Sequence, residues 1–137
     1  MEEGSEQVSV FLRTECEGET QRSFVHARKT ECGYLFRNDG AEFCVFFNAE
    51  KRELTVSRSG EMSYKLDLSR REERETEVVT SFGDLPVILS VQELQFFTKN
   101  GGEGVDCRYT LNFSGFVQRH SFRFAVKPII TEEEKRA

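Results

Sequence analysis

From Val105 onward the chain alternates apolar and polar residues: Val105, Cys107, Tyr109, Leu111 and Phe113 interleave with Asp106, Arg108, Thr110 and Asn112. Successive side chains of an extended strand point to opposite faces, so a period of two describes a half-buried β-strand and not an amphipathic helix. Residues 116–126 repeat the pattern, with Phe116, Phe122, Phe124 and Val126 on one side and Arg119, Ser121 and Arg123 on the other. Between the two runs, Ser114-Gly115 is a two-residue turn signal. With those two residues as the turn, Phe113 faces Phe116, Leu111 faces Gln118, Tyr109 faces His120, Cys107 faces Phe122 and Val105 faces Phe124. A slip by one residue would turn one strand inside out, so turn and pattern specify the same register.

The same reading carries upstream. Leu54 and Val56 alternate with Thr55 and Ser57, and Met62, Tyr64, Leu66 and Leu68 with Ser63, Lys65 and Asp67. Taking Arg58-Ser59-Gly60 as a three-residue turn sets Val56 opposite Met62 and Leu54 opposite Tyr64, and leaves Arg58 facing solvent at a rim. Further strands are expected over 8–16, 22–31, 33–37, 42–48 and 76–82. Over 85–97 the apolar phase jumps from Val87, Leu89 and Val91 to Leu94 and Phe96, which predicts a bulge near Gln92-Glu93. Nine or ten short strands with no convincing helix describe an all-β chain, an antiparallel barrel or sandwich. Residues 69–75 are expected as a solvated loop, because no apolar stripe follows their serine-to-glutamate spacing.

At 137 residues the chain has the length of one domain, 1–137, with the barrel over about 7–127 and an acidic tail, 128–137, expected to fray. A net charge of −5 disfavours nucleic acid, which needs clustered cations. The acidic opening has no signal-peptide pattern and no apolar run is long enough for a membrane span, so a cytoplasmic location is expected. Cys16, Cys32, Cys44 and Cys107 match neither a zinc nor a redox spacing, and buried hydrophobic roles are expected for them. No metal or cofactor is implied, and no nucleophile elbow, phosphate loop, dinucleotide fingerprint or zinc helix is present.

Leu54-Thr-Val-Ser-Arg58-Ser59-Gly60, then Thr80-Ser-Phe82-Gly83-Asp-Leu85, then the closing hairpin from Tyr109-Thr-Leu111-Asn-Phe113 to Phe122-Arg-Phe124-Ala-Val126 resemble the YwiB-like bacterial family of uncharacterised small proteins. The resemblance spans roughly residues 8–127 and implies a calycin-like, lipocalin-like antiparallel β-barrel of about eight to ten strands. It brings no established activity. Family members carry a tyrosine-rich strand ending in paired glutamates and then a threonine-rich strand, whereas here the run from Phe43 to Glu50 passes almost directly into Lys51. A strand shortened there would leave the barrel partly open beside residues 43–47.

Three functions are weighed: binding of a small apolar molecule in the barrel, an interaction module, and an enzyme whose site is spread too widely for a single sequence to display. Candidate interior ligand-binding residues are Tyr109 and His120, which the register sets opposite one another, with Tyr64, Met62, Phe113, Phe122 and Phe124 lining the apolar body. A hydroxyl from Tyr109 is positioned to satisfy a ring nitrogen of His120. No catalytic residue is assigned. Residues 43–47 are apolar on both faces, so the outer face must be covered or serve as a patch for a second copy.

Overall fold

The computed structural model describes residues 6–69, 71–99 and 101–128. They form ten strands: β1 (Glu6–Cys16), β2 (Glu19–Thr30), β3 (Gly33–Asn38), β4 (Ala41–Asn48), β5 (Glu53–Ser59), β6 (Met62–Asp67), β7 (Arg74–Thr80), β8 (Gly83–Lys99), β9 (Gly102–Phe113) and β10 (Phe116–Pro128). Each pairs antiparallel with the next, and β1 pairs with β10 from Val8–Pro128 to Cys16–His120, closing a calycin-like barrel. There is no helix among the described residues; of the expected tail, residues 129–137 lie outside them, while Pro128 ends β10 opposite Val8. Residues 71–73, within the stretch expected as a loop, are indeed non-strand.

The β9–β10 register is the one the alternation specifies, from Phe113–Phe116 through Tyr109–His120 to Val105–Phe124. Its turn places Ser114 at φ 53° and Gly115 at φ 100°, the left-handed pair that a two-residue hairpin requires. The bulge also stands where the phase jumps: Val91 faces Tyr109 and Glu93 faces Arg108, leaving Gln92 as the extra residue. Leu94 then returns to the interior opposite Cys107.

Two expectations fail. The barrel is not open beside residues 43–47, because β4 pairs with β3 over Ala41–Val45 and with β5 over Glu42–Asn48. The chain makes the β4–β5 connection within residues 49–52, where Arg52 N–H donates to the Ala49 carbonyl at 3.2 Å. The second failure is the β5–β6 register: Val56 faces Leu66 and Arg58 faces Tyr64. Arg58 stays in the strand instead of entering the turn. Its guanidinium lies 5.9 Å over the Phe43 ring and bonds the Met62 carbonyl, while Ser63 Oγ both accepts from Gly60 N–H and donates to Gly60 C=O at 3.3 Å. The slip is an even number of residues, so the inward faces are preserved.

Inward residues divide the barrel into two halves. At one end Phe124, fully buried, is ringed by Tyr34, Phe36, Phe47 and Phe122 at centroid distances of 5.6, 5.9, 6.1 and 6.1 Å. Tyr34 also donates its hydroxyl to Glu103 at 3.1 Å. The other end, where the odd strands turn into the even ones, is not filled.

The cysteines do not share one role. Cys107 is buried, Cys16 and Cys44 are half-buried, and Cys32 is exposed in the β2–β3 turn; all are free thiols. Burial pushes the Cys107 thiol up to about 12. Under native conditions iodoacetamide should therefore label Cys32 readily and spare Cys107 until the chain unfolds, as peptide mass mapping would report. Modification of Cys107 at the rate of Cys32 would contradict this placement.

Candidate functional site

A cavity of about 410 Å³ occupies the hairpin end of the barrel. Leu12, Val45, Val56, Leu66, Val78 and Leu111 supply aliphatic wall, and Phe36, Phe43, Phe113 and Phe122 supply aromatic wall. Tyr64, Met62, Tyr109 and His120 complete the side formed by β6, β9 and β10. Six of the seven residues expected to line a ligand are thus brought together. Phe124 is the exception, for it belongs to the packed cluster beneath, where four other rings leave it no free face.

Tyr109 and His120 meet, but by stacking: their rings lie 5.0 Å apart and within 4° of parallel. The expected hydroxyl-to-imidazole bond is absent because parallel rings on directly opposed positions carry their polar ends side by side. His120 Nε2 instead lies 3.2 Å from Gln118 Oε1 and 3.9 Å from Cys16 Sγ. No hydrogen bond reaches the Tyr64 or Tyr109 hydroxyl among the described residues. Burial raises both phenols above their ordinary range.

The approach of Cys16 to His120 has the composition of a nucleophile and base, yet its electrostatics run the other way. Burial, reinforced by Glu17 and Glu19, raises the Cys16 thiol, and burial lowers His120. Both partners are held neutral, whereas an activated thiolate–imidazolium pair needs the opposite shifts. The inward polar lining is consequently uncharged: Thr14, Cys16, Gln21, Ser23, Gln118 and His120. Glu15 and Asp39 lie at the mouth, with the Glu15 carboxylate accepting from Thr20 at 3.2 Å.

Sequence reading missed the residues from β1 to β4 because closure of β1 on β10 is a long-range event. One signal was available, since Gln118 shares the inward phase of His120 in the hairpin register.

A pH effect follows from His120. Its folded-state pKa lies below the ordinary 6.5, so the unfolded chain binds the proton more readily. Its contribution to stability is complete above about 6.5 and is lost as pH falls through the lower folded value. Thermal melts from pH 7.5 to 5 should show a falling midpoint, and His120→Phe should reduce that fall. An unchanged slope in the variant would show that His120 does not carry it.

The family model described as "Domain of unknown function (DUF1934)" matches residues 37–121, more than half of the chain and the span from β3 to β10. The chain belongs to the DUF1934 family. Among solved structures, the ywiB protein from Bacillus subtilis superposes with a TM-score of 0.68 at 12% sequence identity, covering 93% of this chain and 94% of that one. At that identity the likeness establishes the shared barrel fold. No curated protein matches this DUF1934 chain. No described helix is long and apolar enough to cross a membrane.

Proposed function

We propose that this chain is a non-enzymatic binding protein that encloses one small apolar molecule with an uncharged polar end. The observation that carries this reading is a cavity with aromatic walls in which the Tyr64 and Tyr109 hydroxyls lack protein partners among the described residues. Polar groups set in an apolar cavity ordinarily find a hydrogen-bond partner, so two hydroxyls open to this cavity beside a neutral imidazole suit a ligand carbonyl, hydroxyl or amide. A carboxylate or ammonium would lose its hydration there without gaining a counter-charge, which is costly. The acidic mouth adds repulsion for an anion. Met62, Phe116 and Phe82, at 41%, 64% and 99% exposure, stand at the same end of the barrel and offer an apolar approach.

Phenylnaphthylamine, a neutral dye that fluoresces in apolar surroundings, should be taken up and then displaced by decanol. Decanoate at neutral pH should compete at least about tenfold less well, the equivalent of about 1.4 kcal/mol. The paired change Tyr109→Phe with His120→Phe should reduce the preference for decanol over decane while leaving dye uptake in place. Absence of dye uptake, or equal competition by decanol and decanoate, would count against this function.

A further inference from the structure

Two turns of the barrel share one backbone design. In Thr30-Glu31-Cys32-Gly33 and in Thr80-Ser81-Phe82-Gly83 the threonine hydroxyl accepts from the third residue's N–H at 3.1 Å. It donates to the glycine carbonyl at 3.0 Å in the first and 2.8 Å in the second, and both glycines stand at φ 130°. The third residue of each turn is exposed. Their surroundings differ. A Cβ on Gly83 would meet nothing within 4 Å, whereas one on Gly33 would lie 3.1 Å from Cys44 Sγ. The same sulfur donates to the Cys32 carbonyl at 3.5 Å. A half-buried thiol of β4 thus rests against the Cys32–Gly33 peptide, and the residue beside it in the turn is a second thiol.

We infer that Cys32 and Cys44 form a peroxide-sensitive pair that closes to a disulfide and clamps the β2–β3 turn to β4. A disulfide needs backbones that are already close, and contact between one residue's sulfur and the other's own carbonyl is such closeness. What remains is rotation of the Cys32 side chain, which solvent leaves room for. The two thiols have unequal roles. Exposed Cys32 meets the oxidant first; burial, and then the neighbouring Cys32 thiol, raises the Cys44 thiol, with Lys65 opposing. The Cys32 thiolate attacks hydrogen peroxide, the O–O bond breaks, and Cys32 becomes a sulfenic acid while the departing hydroxide takes up the thiol proton. Cys44 sulfur then attacks Cys32 sulfur, the S–O bond breaks, and the leaving hydroxide takes the Cys44 proton as a second water. The thiols lose two electrons and two protons, and the peroxide is reduced to two waters. Cys16 and Cys107 are placed outside this chemistry, on β1 and β9 with β10 between them. The link would close a loop around β3, which meets β2 through only Arg28–Leu35, Lys29–Tyr34 and Thr30–Gly33.

The test treats the full reduced chain with an equivalent of hydrogen peroxide and maps its tryptic peptides without reduction; cleavage at Arg37 falls between the two cysteines. The expected product is a monomer lighter by two hydrogen atoms, with Cys32 and Cys44 joined and Cys16 and Cys107 still alkylated by iodoacetamide after unfolding. Because a cross-link restricts the unfolded chain, the linked protein should melt at least about 3 °C higher than the reduced one. Dithiothreitol should restore the original map and midpoint. Cys44→Ser should abolish the link and leave a sulfenic acid on Cys32 that dimedone traps, and Cys32→Ser should abolish both the link and the trapping. The inference is overturned if peroxide leaves the parent map unchanged, if Cys32 is oxidised beyond reversal while Cys44 stays free, or if Cys32 joins two chains instead. A link between any other pair, or a linked chain that melts no higher than the reduced one, overturns it equally.

Discussion

Replacing Phe124 by alanine should lower folding stability by about 3–5 kcal/mol, the range for removing a buried ring whose neighbours relax incompletely. Phe124 is fully buried and contacts rings from β3, β4 and β10. Its removal opens a hole where strands distant in sequence meet, and those strands are fixed by their pairing and cannot collapse into it. Urea denaturation should show the midpoint falling while the dye-binding end keeps its walls. A loss below about 1 kcal/mol would mean that the packed half is looser than these ring distances imply.

The second large effect concerns Gly104, which faces Phe97 across the β8–β9 pair. A Cβ added there would stand 2.4 Å from Phe97 Cζ and 2.5 Å from the Phe124 carbonyl oxygen. The ring can swing aside, but it is held under Arg123, whose guanidinium lies 4.3 Å from the ring centroid and is bonded to Asp106 at 2.7 Å. The carbonyl belongs to the backbone of β10 and cannot move without disturbing the pairing. Gly104→Ala should therefore destabilise the barrel by about 1–3 kcal/mol, as overpacking does elsewhere. Because both obstacles lie on β8 and β10, hydrogen exchange should accelerate along those strands first. An alanine variant as stable as the parent would show that the strands separate more easily than the register implies.

The parts of this fold that were legible in the sequence are those where a local turn and a long alternation agree. Ser114-Gly115 admits one hairpin geometry, and from it every pair of β9–β10 follows, including Tyr109–His120. The bulge at Gln92 was legible because a bulge shifts phase, and phase is visible in the apolar pattern. The turn after β5 was not, since Ser59, Gly60 and Glu61 allow several loop lengths that preserve the same faces. Part of what holds Arg58 in the strand, the Phe43 ring, comes from β4, outside the local turn pattern. Closure likewise depends on β1 meeting β10, more than a hundred residues apart, and no local signal reports it.

The candidate site divides in the same way. Its β6, β9 and β10 wall came from alternation and hairpin register, whereas Phe36, Phe43 and Cys16 enter it only because the sheet curls round. Phe124 was assigned to it wrongly because phase gives the face of a residue and not its depth along the barrel. Depth is decided by which rings crowd one end, and that is a property of the closed structure.

The most direct measurement of the central claim is native mass spectrometry of the chain purified from its own host, beside a Thr14→Trp variant whose indole would fill the cavity from β1. The expected result is a parent protein heavier than its sequence by one small neutral molecule. That mass should be released on denaturation and be absent from the folded variant. Parent and variant both appearing at their bare sequence masses under native conditions would contradict the claim that this barrel exists to hold a ligand.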